Sequence, residues 1–332
     1  MIAVGGYTAA AGGRATGISL YAWDDQRAEL ELLDTLATAS PTWLQWHPTL
    51  PLLYAAGEVE TGSLSVLSVE AGLRVLATAE TGGAEPCQLA VTADGHRLFA
   101  ANYGSGSVAA FELDGQGLPG HRLLVPHQGN GPDPIRQAGP HVHMIVLDQH
   151  DDLISAVDLG TDEIRSYRWT TQGLVPAAVS KLPAGCGPRQ LVRQPGTDRA
   201  YVVAELTGQL LTVEESRPGS FEVIASIAGS GQPMSNLPAQ FTSSADGRFG
   251  YLSNRTPNSI SVFALDGTIP VRLGEYPAGD GFPRHFAVTG DWLIAANQHS
   301  DELIVFALEA GGARLREVRR YPTGSPTCVA VR

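Results

Sequence analysis

Apolar and polar residues alternate with a period of two through most of this chain, and the alternation recurs in a fixed order. One short start is repeated as Pro41-Thr42-Trp43-Leu44, Pro86-Cys87-Gln88-Leu89, Val142-His143-Met144-Ile145, Pro188-Arg189-Gln190-Leu191, Pro238-Ala239-Gln240-Phe241, Pro283-Arg284-His285-Phe286 and Pro326-Thr327-Cys328-Val329. Each upstream copy leads, usually through a polar turn such as Ala93-Asp94-Gly95, into a second apolar run such as Leu98-Phe99-Ala100-Ala101-Asn102. A third run then alternates, as in Ser259-Ile260-Ser261-Val262-Phe263. Period-two runs bounded by Gly, Asp and Asn predict antiparallel strands rather than helices.

The first residues of successive copies are 45, 56, 46, 50, 45 and 43 positions apart, and wrapping from Pro326 through the N-terminus to Pro41 gives 47. Repeats of roughly 40 to 50 residues with four short strands each are the signature of β-propeller blades. Seven copies predict an all-β, seven-bladed propeller spanning residues 1–332 as one domain. Blade one starts at Pro41. Blade seven takes its innermost strand from Ser325-Pro326-Thr327-Cys328-Val329-Ala330-Val331 and its middle strands from Ile2-Ala3-Val4-Gly5-Gly6-Tyr7 and Gly17-Ile18-Ser19-Leu20-Tyr21. Pairing of the two ends ties the ring shut and removes edges that would otherwise be open to other chains.

Composition narrows the classes of function. The net charge of −12 disfavours nucleic acid and anionic membrane as partners, because both require a basic surface. No run approaches the roughly 18 apolar residues of a membrane span. Nothing before Ile2 reads as a signal peptide, so a cytoplasmic location is expected. Three cysteines, Cys87, Cys186 and Cys328, form no disulfide framework and no CxxC metal spacing, and free thiols are expected. No cofactor is expected. A single Trp23-Asp24 dipeptide without a recurrent Gly-His partner does not make an interaction propeller of the WD type.

In a propeller the innermost strands line the central channel, so the seven copies can be read as a ring. Their second positions are Thr42, Cys87, His143, Arg189, Ala239, Arg284 and Thr327. Unpaired guanidinium groups are costly to bury. Two channel arginines in an acidic protein therefore read either as an anion site or as pairs that hold blades together. A second ring follows the second strands, through Glu58, Tyr103, Leu159, Glu205, Arg255 and Gln298, with Asn102, Asn254 and Asn297 one residue earlier. Glu205 is expected to pair with Arg189 across adjacent strands, which would orient the guanidinium and lower the carboxyl pKa. A carboxylate there facing water, or the neighbouring His143, is a candidate general base.

Spacing of i, i+2 on a strand would put His141 and His143 on one face, a geometry that can chelate metal, although no third ligand stands at a local spacing. Hydrogen bonding within the channel and a substrate role are the alternatives. Cys87 next to His143 on the ring invites a nucleophile reading, with a small buried thiol as its counterpart. The longest spacing carries the insertion Pro126-His127-Gln128-Gly129-Asn130-Gly131-Pro132-Asp133-Pro134-Ile135-Arg136-Gln137. It is either a lid that brings Arg136 to a ligand or an ordinary surface loop.

With these residues in view, the chain resembles the propeller-type lactonases typified by bacterial 6-phosphogluconolactonase. The resemblance spans the whole length. It rests on Gly5-Gly6-Tyr7-Thr8, Ala101-Asn102-Tyr103-Gly104-Ser105-Gly106-Ser107-Val108, Gly139-Pro140-His141-Val142-His143, Gly187-Pro188-Arg189, Ala204-Glu205-Leu206 and Pro283-Arg284-His285-Phe286. It implies opening of an anionic lactone in the pentose phosphate pathway, with His143, Glu205, Arg189 and Arg284 as catalytic residues. Tyr103, Asn102, Glu58, His285, Gln298, Arg136 and His141 would then bind substrate, with no metal. A fungal muconate-lactonizing enzyme looks similar, so ring closure is an alternative reaction. A propeller that binds a sugar acid without turning it over is another.

Overall fold

Seven four-stranded antiparallel sheets form the chain, each one blade of a propeller, in a computed structural model that describes residues 1–148, 150 and 152–332. The innermost strands are Pro41–Trp46, Pro86–Val91, Val142–Leu147, Pro188–Arg193, Pro238–Ser243, Pro283–Thr289 and Pro326–Val331. Each begins on the residue that opens a sequence repeat. Blades one to six are sequential meanders. Blade seven pairs Pro326–Val331 with Ile2–Gly6, in the register Ile2 to Val331 and Val4 to Val329, followed by Gly17–Asp24 and Glu29–Ala37.

The burial of each strand follows its rank in the blade. Second strands such as Leu52–Gly57 are buried at every position because both faces lie against neighbouring blades. That explains why they read as continuous apolar runs. Outermost strands such as Arg74–Glu80 are exposed at alternate positions or more. Core clusters lie between adjacent blades. One joins Ile18 and Leu20 of blade seven to Leu44, Leu53 and Leu67 of blade one, so closing the ring buries apolar surface that neither terminus covers alone. Gly5 sits at that seam, where a Cβ would come within 2.0 Å of the Pro41 carbonyl oxygen.

The feature that positions the site is a break in the ladder at the start of every innermost strand. In blade four Pro188 pairs with Ala204 but Gln190 pairs with Val203, which leaves Arg189 as an extra, unpaired residue. The same shift isolates Thr42, Cys87, His143 and Arg284 in blades one, two, three and six. In blade seven it isolates Thr327, and in blade five it spans Ala239 and Gln240. The second-position ring is thus a ring of β-bulges, and a bulge turns its side chain away from the alternating pattern of the strand. The opposing strand ends beside each bulge, so Glu58, Tyr103, Leu159, Glu205, Arg255 and Gln298 emerge at the same channel mouth. Tyr7, directly after Ile2–Gly6, is the seventh member of this exit ring.

Candidate active site

The two rings enclose a cavity of about 440 Å³ at one mouth of the channel. Its charged lining consists of Arg136, Arg189, Arg255 and Arg284 with Glu58, Glu85 and Glu205. Tyr7, Cys87, Tyr103, His143 and Gln298 complete most of the wall. A cavity of this size suits a small ligand, for which sites run about 300–1,000 Å³. Below it the channel narrows to about 20 Å³ between Thr42, Trp43, Gln88, Gln190, His285 and their neighbours.

Glu205 is the centre of the charge arrangement. Its side chain is 1% exposed, and its Oε2 accepts from Arg189 Nη1 at 2.9 Å and faces Arg255 Nη2 at 2.7 Å. Its Oε1 accepts from Arg136 Nη2 at 2.7 Å. Burial opposes ionisation, but the guanidinium groups of Arg255, Arg189 and Arg136 together hold the carboxyl well below the ordinary carboxylate range. Arg255 is supported from behind by the Phe282 ring, 5.2 Å from its guanidinium carbon, and donates from Nε to the Leu237 carbonyl at 2.8 Å.

His143 lies on the other side of Arg189, with its Nε2 accepting from the same Nη1. Burial and the positive charges of Arg189 and Arg284 keep this imidazole well below its usual pKa, so it is neutral. The acceptor role of Nε2 leaves the ring proton on Nδ1, which faces the Cys87 sulfur at 3.8 Å. Burial pushes the Cys87 thiol upward, so it is protonated, and it donates to the His143 carbonyl at 3.4 Å. It has the character of a small buried thiol rather than an activated nucleophile.

Arg284 faces a different set of partners. Its Nη2 donates to Tyr7 Oη at 2.8 Å, and its guanidinium carbon lies 5.1 Å from the centre of the Tyr7 ring. Tyr7 Oη in turn donates to Glu58 Oε1 at 2.6 Å. Burial raises the Tyr7 pKa, so the phenol keeps its proton. Sequence reasoning missed Tyr7 as a site residue. Its signal was position, since it stands directly after the second strand of blade seven just as Glu205 does in blade four.

The insertion before blade three reaches into the cavity. Asp158 clamps both of its ends, with Oδ2 2.6 Å from His127 Nδ1 and Oδ1 accepting from the His141 amide at 2.8 Å. His127 Nε2 meets Tyr167 Oη at 2.9 Å, and Gln137 donates to the Leu159 carbonyl and to Asp162 Oδ1, each at 2.8 Å. Gly160 lies so close beneath the loop that a Cβ there would come within 1.9 Å of the Gly139 carbonyl oxygen. These ties hold Arg136 over the channel mouth.

The remaining candidates separate. Tyr103 lines the cavity and stacks on His141 at 4.5 Å between ring centres, and Gln298 lines it too. The shared face expected for His141 and His143 does not form, because His141 precedes the strand and His143 is the bulge residue. His141 Nδ1 instead meets the Tyr103 carbonyl at 2.9 Å. Asn102 is fully buried and its amide donates to Ser107 Oγ at 3.1 Å, so it braces a blade corner outside the cavity. His285 lies in the narrow neck, with Nδ1 accepting from the Val329 amide at 3.3 Å. Among the described residues, no group of three or more His, Cys, Asp or Glu side chains is arranged to hold a metal ion.

Residues 1–331 match the family described as Lactonase, 7-bladed beta-propeller. The chain belongs to that family. It is 27% identical over 332 residues to the 6-phosphogluconolactonase of Bacillus subtilis, covering 94% of this chain and 92% of that protein. The crystal structure of a protein from Lactobacillus plantarum superposes with a TM-score of 0.90 at 26% identity, over 99% of this chain and 98% of the other. The periplasmic gluconolactonase of Pseudomonas aeruginosa superposes with a TM-score of 0.86 at 25% identity, over 99% and 98%. The Bacillus protein is named for a phosphorylated sugar lactone and the Pseudomonas protein for an unphosphorylated one.

Proposed function

We propose that this propeller hydrolyses the lactone of an anionic sugar acid, with 6-phosphogluconolactone as the leading substrate. The observation that carries the reading is the charge of the cavity, where four guanidinium groups meet three carboxylates and leave a positive surplus in a protein that is acidic as a whole. Lactone opening needs positive charge where the carbonyl oxygen becomes an oxyanion, and a phosphorylated substrate adds a second anion to be held. Arginine suits both tasks, because its planar fork binds phosphate or carboxylate through two donors.

The arginines divide by what they already hold. Arg189, Arg255 and Arg136 converge on Glu205, which fixes their orientation in advance. Arg284 makes one side-chain hydrogen bond among the described residues and has the most donors to offer an incoming oxyanion. Arg136, 36% exposed at the rim, is suited to meet the phosphate as it enters.

Hydrolysis of freshly generated 6-phosphoglucono-δ-lactone, measured beside glucono-δ-lactone with the spontaneous rate subtracted, tests the reading. Preference for the phosphorylated lactone is expected. Acceleration of neither would move the protein to lactone-forming cycloisomerisation or to binding alone. Alanine at Arg189 or Arg284 is expected to lower kcat/KM by about 100-fold or more, and values within about twofold of wild type would reject the arginine assignment.

A further inference from the structure

Opening a lactone with water requires a base, and the groups that line the cavity differ sharply in their freedom to act as one. Both oxygens of Glu205 are engaged by guanidinium groups, and the same three charges suppress its basicity. The available nitrogen of His143 is occupied by Arg189. Glu85 stands exposed at the rim.

Glu58 is different. Its Oε1 is held by the Tyr7 hydroxyl at 2.6 Å, while its Oε2 is buried with no hydrogen-bond partner among the described residues, on a residue that lines the cavity. Gln298 Oε1, also in the lining, is the other unpartnered acceptor there. A buried carboxylate oxygen without a donor carries a large desolvation cost unless something donates to it. The donors a sugar lactone and its attacking water bring are O–H groups.

We infer that Glu58 is the general base of this site and that Tyr7 is the residue that positions it. The inference rests on the lactonase reading and adds to it the group that takes the water proton. In the step it describes, water hydrogen-bonded to Glu58 Oε2 forms the new C–O bond at the lactone carbonyl and passes its proton to Oε2. The carbonyl electron pair moves onto oxygen, facing Arg284. Collapse of the tetrahedral intermediate breaks the ring C–O bond, and Glu58 returns the proton to the departing alkoxide. The product is the open hydroxy acid, whose carboxyl proton goes to solvent.

The geometry matches what a base of this kind needs. Arg284 Nη2, Tyr7 Oη and Glu58 Oε1 form one chain, at 2.8 and 2.6 Å, so base and oxyanion donor are held in register by a shared hydroxyl. The base is thereby oriented by a third group. Arg284 Nη2 stands 3.9 Å from Glu58 Oε1, and no group among the described residues hydrogen-bonds to Oε2. Glu58 follows the second strand of blade one directly, and the innermost strand beside it contributes Thr42 at the bulge, a side chain with no charge. Tyr7, Arg284 and the thiol of Cys87 act on Glu58, and His143, Arg189 and His285 line the same narrow neck.

The test is the Glu58→Gln variant of the full chain, assayed on whichever lactone the wild type opens. General-base catalysis is worth about 10²–10⁴-fold, so kcat should fall by at least about 100-fold with KM changed little. The acid limb of the wild-type pH profile should flatten. Glu58→Ala should regain activity with added formate, and Glu58→Asp should keep a measurable part of it, neither of which a purely structural role would give. Tyr7→Phe should lower kcat less than Glu58→Gln does. A Glu58→Gln enzyme with wild-type kcat and an intact acid limb would overturn the inference and leave the lactonase reading standing. A wild-type protein that accelerates no lactone would overturn both.

Discussion

The Nη1 of Arg189 stands 2.9 Å from Oε2 of Glu205, and the two come from adjacent strands of one blade. Arg189 is the bulge residue and Glu205 the first residue past the partner strand, so the pair sits where the ladder is broken. Arg255 reaches the same carboxylate from the next blade and Arg136 from the insertion. Removing one partner of a buried ion pair leaves uncompensated charge, which costs about 3–5 kcal/mol. Glu205→Gln would leave three guanidinium groups facing one another without their counter-charge. A loss of stability of that size is expected, read as a lower denaturation midpoint at constant slope.

The same carboxylate should set an acid dependence. Its folded pKa lies well below the ordinary value of 4.5. The stability it contributes is therefore complete above that unfolded value and is lost as pH falls from there towards the folded one. Denaturant unfolding between about pH 5 and pH 2 should show wild type losing stability more steeply than Glu205→Gln. Parallel curves would mean that the carboxyl is not held ionised in the folded state.

His127 and Asp158 are completely buried and anchor the insertion that carries Arg136. Replacing His127 with Phe removes its bonds to both Asp158 and Tyr167 while keeping an aromatic ring in the space. KM for a phosphorylated lactone should rise about tenfold with kcat changed less, a loss of roughly 1.4 kcal/mol in binding. Amide exchange should accelerate in residues 127–141. Unchanged exchange there would show that Gln137 and the close approach at Gly160 hold the loop unaided.

The strand Pro326–Val331 supplies the innermost strand of blade seven and packs against blades one and six. Deleting residues 326–332 exposes both neighbouring blade faces and leaves Ile2–Gly6 an open edge. Cooperative thermal unfolding should disappear or the protein become insoluble, whereas deletion of Arg332 alone should change little. A truncated chain with a wild-type transition would mean that the ring does not depend on this closure.

The blades were legible in the sequence because strand formation, turn chemistry and burial of both faces are local properties that repeat every few dozen residues. Leu98–Asn102 and Tyr251–Asn254 announce buried strands by composition alone, and the copy at Pro326 announces closure. The position-by-position ring of Cys87, His143, Arg189 and Arg284 was readable for the same reason, since each blade repeats the same register. Only the tertiary structure decided where those side chains point. The bulges separate His143 from His141, three arginines from different parts of the chain converge on Glu205, and closure of the ring brings Tyr7, just past the first strand, between Glu58 and Arg284. Those contacts span sequence separations of 46 to 277 residues, apart from the single local pair of Arg189 and Glu205. Periodicity specifies what each blade is made of, whereas the direction and charge of a side chain in the channel depend on which other blades face it.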